Sequence, residues 1–310
     1  GNLDTINLLY DDVSDTLSQL IRTTFIAGEG KTFAVADFSA IEARVIAWLA
    51  EENWRIEVFK THGKIYEASA SMMFGIPIEQ ITKGSSLRQK GKVAELALGY
   101  QGSIGALKKM GGEQMGLSDS EMQAIVNKWR TANQYIVQLW KDLEGCAKQA
   151  VRTKKPVKSK HQGLIFDSNG KIMTIQLPSG RKLFYCNPLL KKKRVERDNG
   201  ESFEVESLTY MGMEQTKKQW LRLDTYGGKL AENIVQAVSR DLLANSMLQL
   251  DKEGFEIVMH VHDEVVCEVS LDDSADDLGI IESIMSKEVV WAKGLPLAAD
   301  GYLTHYYKKD

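Results

Sequence analysis

The chain lacks the marks of several large protein classes. Its 310 residues hold only 3 cysteines, Cys146, Cys186 and Cys267, far apart and with no CxxC pair, so neither a disulfide scaffold nor a zinc knuckle is indicated. Its 5 prolines are scattered and mark no linker. No apolar run approaches the roughly 18 residues that a membrane-spanning helix needs, and the N-terminus carries no signal-peptide pattern. An excess of one charge is missing too. The balance of 39 Lys and Arg against 42 Asp and Glu, net −3, argues against coating nucleic acid through bulk positive charge but leaves a local basic groove open. There is no internal repeat. What remains is an ordinary globular composition, 43% hydrophobic and 26% charged, long enough for about two domains. The expectation is a cytoplasmic protein with reduced thiols and no membrane partner; the sequence sets no oligomeric state.

Phe33 to Asp37 reads as a short buried strand running into Ser39-Ala40-Ile41-Glu42, a capping-box pattern opening a helix over 43–49. A helix over 65–74 is closed by Gly75, with Pro77 beyond it, and another runs from Ser85 to about Tyr100. The longest helical pattern starts at a capping box, Ser118 to Glu121, and continues through Trp129 and Trp140 to Leu143; its tryptophans read as core. Basic stretches follow at 148–160 and 191–194, with a hairpin over 172–185 and a strand over 203–210. A long amphipathic helix covers 229–250. Strands over 255–261 and 264–269 then meet at the two-residue turn His262-Asp263. This order predicts an α+β protein: an antiparallel sheet with helices on one face and a helical insertion.

Two carboxylates sit at odd places, Asp37 ending an apolar strand and Asp263 at a hairpin apex. Each alone is explicable, as a helix start or a turn residue. Brought side by side they suit Mg²⁺, which is held by one or two carboxylates plus substrate phosphates. Arg88, Lys92, Leu96 and Tyr100 recur every four residues and form a stripe spanning roughly 18 Å. Two cations at its start suit a triphosphate, and an apolar side chain and a ring at its end suit sugar and base. Gly91 and Gly99 lie within this pattern at a helix cost of about 1 kcal/mol each, which points to close backbone approach to a ligand.

With these residues in view, the chain resembles the family A DNA polymerases, the DNA polymerase I family. Asp37-Phe38-Ser39-Ala40-Ile41-Glu42-Ala43-Arg44 is similar to that family's first motif, D-Y-S-x-I-E-x-R. Arg88-x-x-x-Lys92-x-x-x-Leu96-x-x-Gly99-Tyr100 resembles the second, and Val261-His262-Asp263-Glu264 the third, in the family's order. Gly99-Tyr100-Gln101-Gly102 and the segment 226–237 resemble the phage and prophage branch. The resemblance implies a right-hand palm, an antiparallel sheet with helices on one face, over 1–50 and 166–310, and largely helical fingers over 51–165. Thirty-six residues precede Asp37, too few for a thumb or an exonuclease domain, so palm and fingers alone are expected.

The implied activity is template-directed addition of dNMP from dNTP to a primer 3′-hydroxyl, with two Mg²⁺ ions, or Mn²⁺, as cofactor. The implied partners are primer–template DNA and dNTP. Asp37, Asp263, the Phe38 carbonyl and the auxiliary Glu264 would hold metal. Arg88 and Lys92 would grip the triphosphate, with Lys92 delivering a proton to departing pyrophosphate. Glu42 would reject the ribose 2′-hydroxyl, which disfavours an RNA polymerase, and Tyr100 would stack at the base-insertion site. His262, Gln236, Arg240 and Gln101 would touch DNA. Two departures stand out. Leu96 replaces the usual Phe or Tyr, and Tyr66 stands where many members place a phosphate-contacting His. Rival readings are a metal-dependent nuclease, which has no need of the basic stripe, and a non-catalytic primer–template binding module that keeps the fold.

Overall fold

A computed structural model describes residues 13–196, 202–214 and 216–308. In chain order, the N-terminal part holds α1 (Val13–Arg22), β1 (Lys31–Phe38), α2 (Ile41–Ala50), α3 (Asn53–Thr61), α4 (Ile65–Phe74), α5 (Ser86–Leu98) and α6 (Ile104–Lys109). Then come α7 (Asp119–Ala132), α8 (Gln134–Thr153), β2 (Val157–Lys158), β3 (Ile165–Ser168), β4 (Ile172–Gln176), β5 (Lys182–Glu196), β6 (Ser202–Glu214) and β7 (Gln219–Thr225). The chain continues with α9 (Gly227–Lys252), β8 (Glu256–Val261), β9 (Glu264–Ser270), α10 (Ser274–Met285) and β10 (Ala299–Thr304). The α+β class stands, but the strands form two antiparallel sheets instead of one, of order β10-β1-β9-β8 and β2-β3-β4-β5-β6-β7.

The chain divides into two compact units. The first comprises Gly1–Ile41, Arg240–Val289 and Leu297–Asp310; the second comprises Glu42–Ser239 and Val290–Pro296. These limits differ from 50/51 and 165/166. Residues 42–50 go with the second unit, where the Leu49 carbonyl lies 3.0 Å from His161 Nδ1 and the Trp48 carbonyl accepts the Gln162 amide (3.2 Å). Trp48 and Arg44 in turn hold the 290–296 segment through the Lys293 and Pro296 carbonyls (both 3.0 Å).

In the first unit, β1 is central and its two faces differ. Phe33 and Val35 project into a core with Ala27, Val266 and Tyr307. On the other face Ala34 and Ala36 are small and fully buried. Beside them Gly301 lets α10 approach: a Cβ there would lie 2.7 Å from Leu278. Asp37 continues the Phe33–Val35 row by strand alternation and falls where that row reaches the surface.

In the second unit, α4 runs over the expected residues and ends at Gly75, at φ +68°. The N-terminus of α5 is capped by Ser85, whose hydroxyl accepts the Arg88 N–H. Three readings need correction. The long helix breaks at Asn133, whose buried amide donates to the Trp129 carbonyl (2.8 Å). Trp129 and Trp140 therefore sit on separate helices, stacked 6.1 Å apart and buried. The N-terminus of α2 lies one residue later than the capping box requires, after Ala40 at φ +52°, and the Ser39 hydroxyl donates to Asp300 instead. Finally, α5 ends at Leu98, so Tyr100 lies just beyond it.

Candidate active site

Register in the first sheet gathers acids from distant parts of the chain. Asp37 pairs across to Asp300 on β10 and to Glu264 on β9, so the three share one face at the end of three adjacent strands. The turn between β8 and β9 adds Asp263, whose carbonyl accepts the Phe38 N–H (3.3 Å). Residues 226 positions apart, Asp37 and Asp263, are thereby fixed as neighbours. The Asp37 carboxyl is pushed up from 3.8 to about 6, first by partial burial, then by the charges of Asp263, Glu264 and Asp300. Glu264 accepts a hydrogen bond from the Tyr307 hydroxyl (2.6 Å); burial and that carboxylate raise the phenol to about 12. Among the described residues no group of three or more His, Cys, Asp or Glu is placed to hold a metal ion by itself. Mutually repelling carboxylates on one face instead suit a hard cation that completes its shell with water and phosphate oxygens.

In the second unit the α5 stripe is held from below. Arg88 donates through Nε to Glu67 (2.7 Å) on α4, and its guanidinium lies 5.5 Å from the centre of the Tyr66 ring. Lys92 is half-buried and Leu96 is exposed. The Tyr100 hydroxyl donates to the Glu42 carboxylate; burial first and that carboxylate second hold the phenol far above its usual range. Glu232 on α9 is also pushed up, by burial and by the charge of Glu42. Gly91 has a packing reason rather than a ligand: a Cβ there would stand 2.2 Å from the Tyr66 carbonyl oxygen. Gly99 has no crowding, and its carbonyl accepts the Trp140 indole N–H (3.0 Å).

Of the residues assigned to DNA, Gln236 is exposed on α9 and His262 is exposed in its turn at φ +53°. The guanidinium of Arg240 lies 3.2 and 3.4 Å from the His260 ring nitrogens. The Gln101 side-chain carbonyl accepts the Gly228 N–H (2.9 Å) and so fastens the start of α9. Lysines of the basic stretches have acidic partners: Lys148 with Glu144 (2.6 Å), Lys160 with Asp142 (2.9 Å), Lys192 with Glu204 (3.0 Å) and Lys193 with Asp224 (3.6 Å). Sequence reading missed Asp300, Tyr307, Glu67 and Glu232. A signal for Asp300 existed, since Ala298-Ala299-Asp300 repeats the small-apolar-then-Asp ending of β1.

A family model for DNA polymerase family A matches residues 1–164. The DNA polymerase of Bacillus phage SP02 is 56% identical over 310 residues, all of this chain and 46% of that protein. DNA polymerase I of Borreliella burgdorferi is 22% identical over 311 residues, covering 97% of this chain and 28% of that protein. The POL domain of Pol1 from M. smegmatis, solved in complex with DNA primer-template and dNTP, matches in fold with a TM-score of 0.59 at 19% identity. That match covers 93% of this chain and 42% of the other. The chain thus spans less than half the length of these relatives. On the family match and the phage relative together, the chain belongs to DNA polymerase family A.

Proposed function

We propose that this chain carries the nucleotidyl-transfer chemistry of a template-directed DNA polymerase, joining dNMP from a dNTP to a primer 3′-hydroxyl. The observation that carries this reading is the convergence of Asp37 and Asp263, with Glu264 and Asp300 beside them, in a member of this family. Asp37, Asp263 and the Phe38 carbonyl would hold two Mg²⁺ ions, with Glu264 as the auxiliary carboxylate. When bound, such ions stabilise both the attacking and the leaving oxygen of an in-line displacement.

The chain's own residues position and neutralise. Arg88 offers a bidentate fork to the triphosphate while Glu67 holds its Nε side, and Lys92 adds a point charge and a proton for departing pyrophosphate. Glu42, fixed by the Tyr100 hydroxyl, closes the space at the sugar 2′-position. His262, Gln236 and Arg240 would meet the primer–template, and Tyr66 would support the phosphate end of the stripe.

Primer extension with Mg²⁺ tests the proposal, using Asp37→Asn and Asp263→Asn in turn. Each should lower the rate by at least about 10²-fold, because removing preorganised charge stabilisation at one position costs roughly 10²–10³. Extension that persists in either variant would dismiss the assignment.

A further inference from the structure

Among the described residues, the six-stranded sheet has one covered and one open face. Helix α8 packs against β2 to β5 on the side that buries Phe166, Met173, Ile175 and Tyr185. Alternation sends their neighbours to the other side. There Ile172, Cys186, Met211 and Arg222 form one row across β4 to β7. The next row contains Phe184 on β5 and the cross-strand pair Met213–Trp220 on β6 and β7. These three are large, apolar and exposed, at 65%, 55% and 55%.

Cations bracket that row. Lys182 lies two residues before Phe184 on the same face, Lys217 and Lys218 occupy the turn beyond the Met213–Trp220 pair, and Arg222 lies on the other side. Arg222 is held in place by the Asn187 carbonyl and the Thr209 hydroxyl, both at 3.1 Å. The acids on this face are engaged elsewhere. Asp167 accepts the Ser168 N–H (2.8 Å), and Asp224 faces Lys193 and Ser207.

We infer that the open face of the β2–β7 sheet is a stacking platform for single-stranded DNA, with Phe184 and Trp220 under the bases and Lys182, Lys217, Lys218 and Arg222 on the phosphates. Two interstrand steps separate the rings by roughly 10 Å. Sheet-borne aromatics stack two or three bases of an unpaired strand in other nucleic-acid readers. Stacking tolerates any sequence because every base has a π-face, and the cations supply the backbone attraction. Phe, Trp, Met and Arg are enriched at protein interfaces as well, but lysine is depleted there, so Lys182, Lys217 and Lys218 favour a phosphate backbone over a protein partner. The platform lies wholly in the second unit and does not depend on the nucleotidyl-transfer reading.

The test is fluorescence anisotropy of a labelled 20-mer of dT with the whole chain at low salt, alongside a matching abasic oligonucleotide and a blunt duplex. The double variant Phe184→Ala/Trp220→Ala should bind dT at least about tenfold more weakly with an unchanged melting midpoint and unchanged duplex affinity. Phe184→Tyr/Trp220→Phe should retain binding. Lys182→Gln/Lys217→Gln/Lys218→Gln, which leaves the rings intact, should weaken binding and flatten its salt dependence. An oligonucleotide carrying 5-iodouracil should crosslink to peptides of β5 or β7. The inference is overturned by equal dT affinity of the double variant and the parent, by abasic and dT strands binding alike, or by no measurable binding of dT. It is also overturned if the double substitution only abolishes self-association, which would make the face a protein interface.

Discussion

Asp37 carries a cost that its function would explain. Its folded pKa, about 6, lies above the ordinary 3.8, so the folded chain holds that proton more tightly than the unfolded chain does. Ionisation of Asp37 therefore removes stability as pH rises from about 4 to 6, and the loss is complete above that window. In metal-free buffer at pH 7, Asp37→Asn should raise the melting midpoint by about 1–2 °C, solvent exposure keeping the effect modest. The gain should vanish near pH 4, and Mg²⁺ should stabilise the parent more than the variant. A midpoint that does not respond to the substitution at either pH would show that the acids do not repel one another. Glu42 and Tyr100 make a second residue-scale case. Glu42→Ala should increase ribonucleotide incorporation, and Tyr100→Phe, which removes the hydroxyl donated to Glu42, should do so to a smaller extent. Single-nucleotide insertion of rNTP against dNTP measures both, and an unchanged sugar preference in Glu42→Ala would remove the gate.

At the scale of elements, α5 is the piece whose placement matters most. Its inner side carries Glu95, buried with Arg55 of α3 in an ion pair that also takes the Trp129 indole N–H (2.9 Å). Arg55 reaches Asn133 as well (3.0 Å), so one network ties α3, α5 and the α7–α8 break together. Removing one partner of a buried pair leaves an uncompensated charge, so Arg55→Met should cost about 3–5 kcal/mol in urea unfolding. Gly91→Ala should destabilise by about 1–3 kcal/mol, because the added methyl meets the Tyr66 backbone, which has no rotamer with which to yield. If Gly91→Ala were neutral in stability yet defective in nucleotide binding, the ligand explanation for that glycine would return.

For the whole molecule, the first unit is assembled from three separate segments, whereas the second is almost continuous. Ending the chain at Pro296 deletes β10 and Tyr307, hence one neighbour of β1, the Asp300 carboxylate and the hydroxyl that binds Glu264. Hydrogen exchange on that truncated chain should show lost protection over 31–38 and 256–270, with protection over 86–98 and 119–153 retained. Equal loss throughout would mean that the two units unfold as one.

Elements read well where the signal was local. Gly75 stops α4, Ser85 caps α5, and His262-Asp263 turns β8 into β9, because caps and tight turns depend on a few neighbouring residues. The Asp37 and Asp263 candidates were legible for the same reason, as charges misplaced at the ends of apolar strands. Tertiary structure alone decided the rest. Helical periodicity ran on through Asn133 because a side chain that satisfies its own backbone at a break leaves no mark on the apolar spacing. The glycine at position 91 was misread because its crowding comes from another helix. Asp300 joined the acids through strand register, which pairs it with Asp37 across 263 positions of chain, and Tyr307 joined them through a side-chain hydrogen bond to Glu264 from beyond the end of β10.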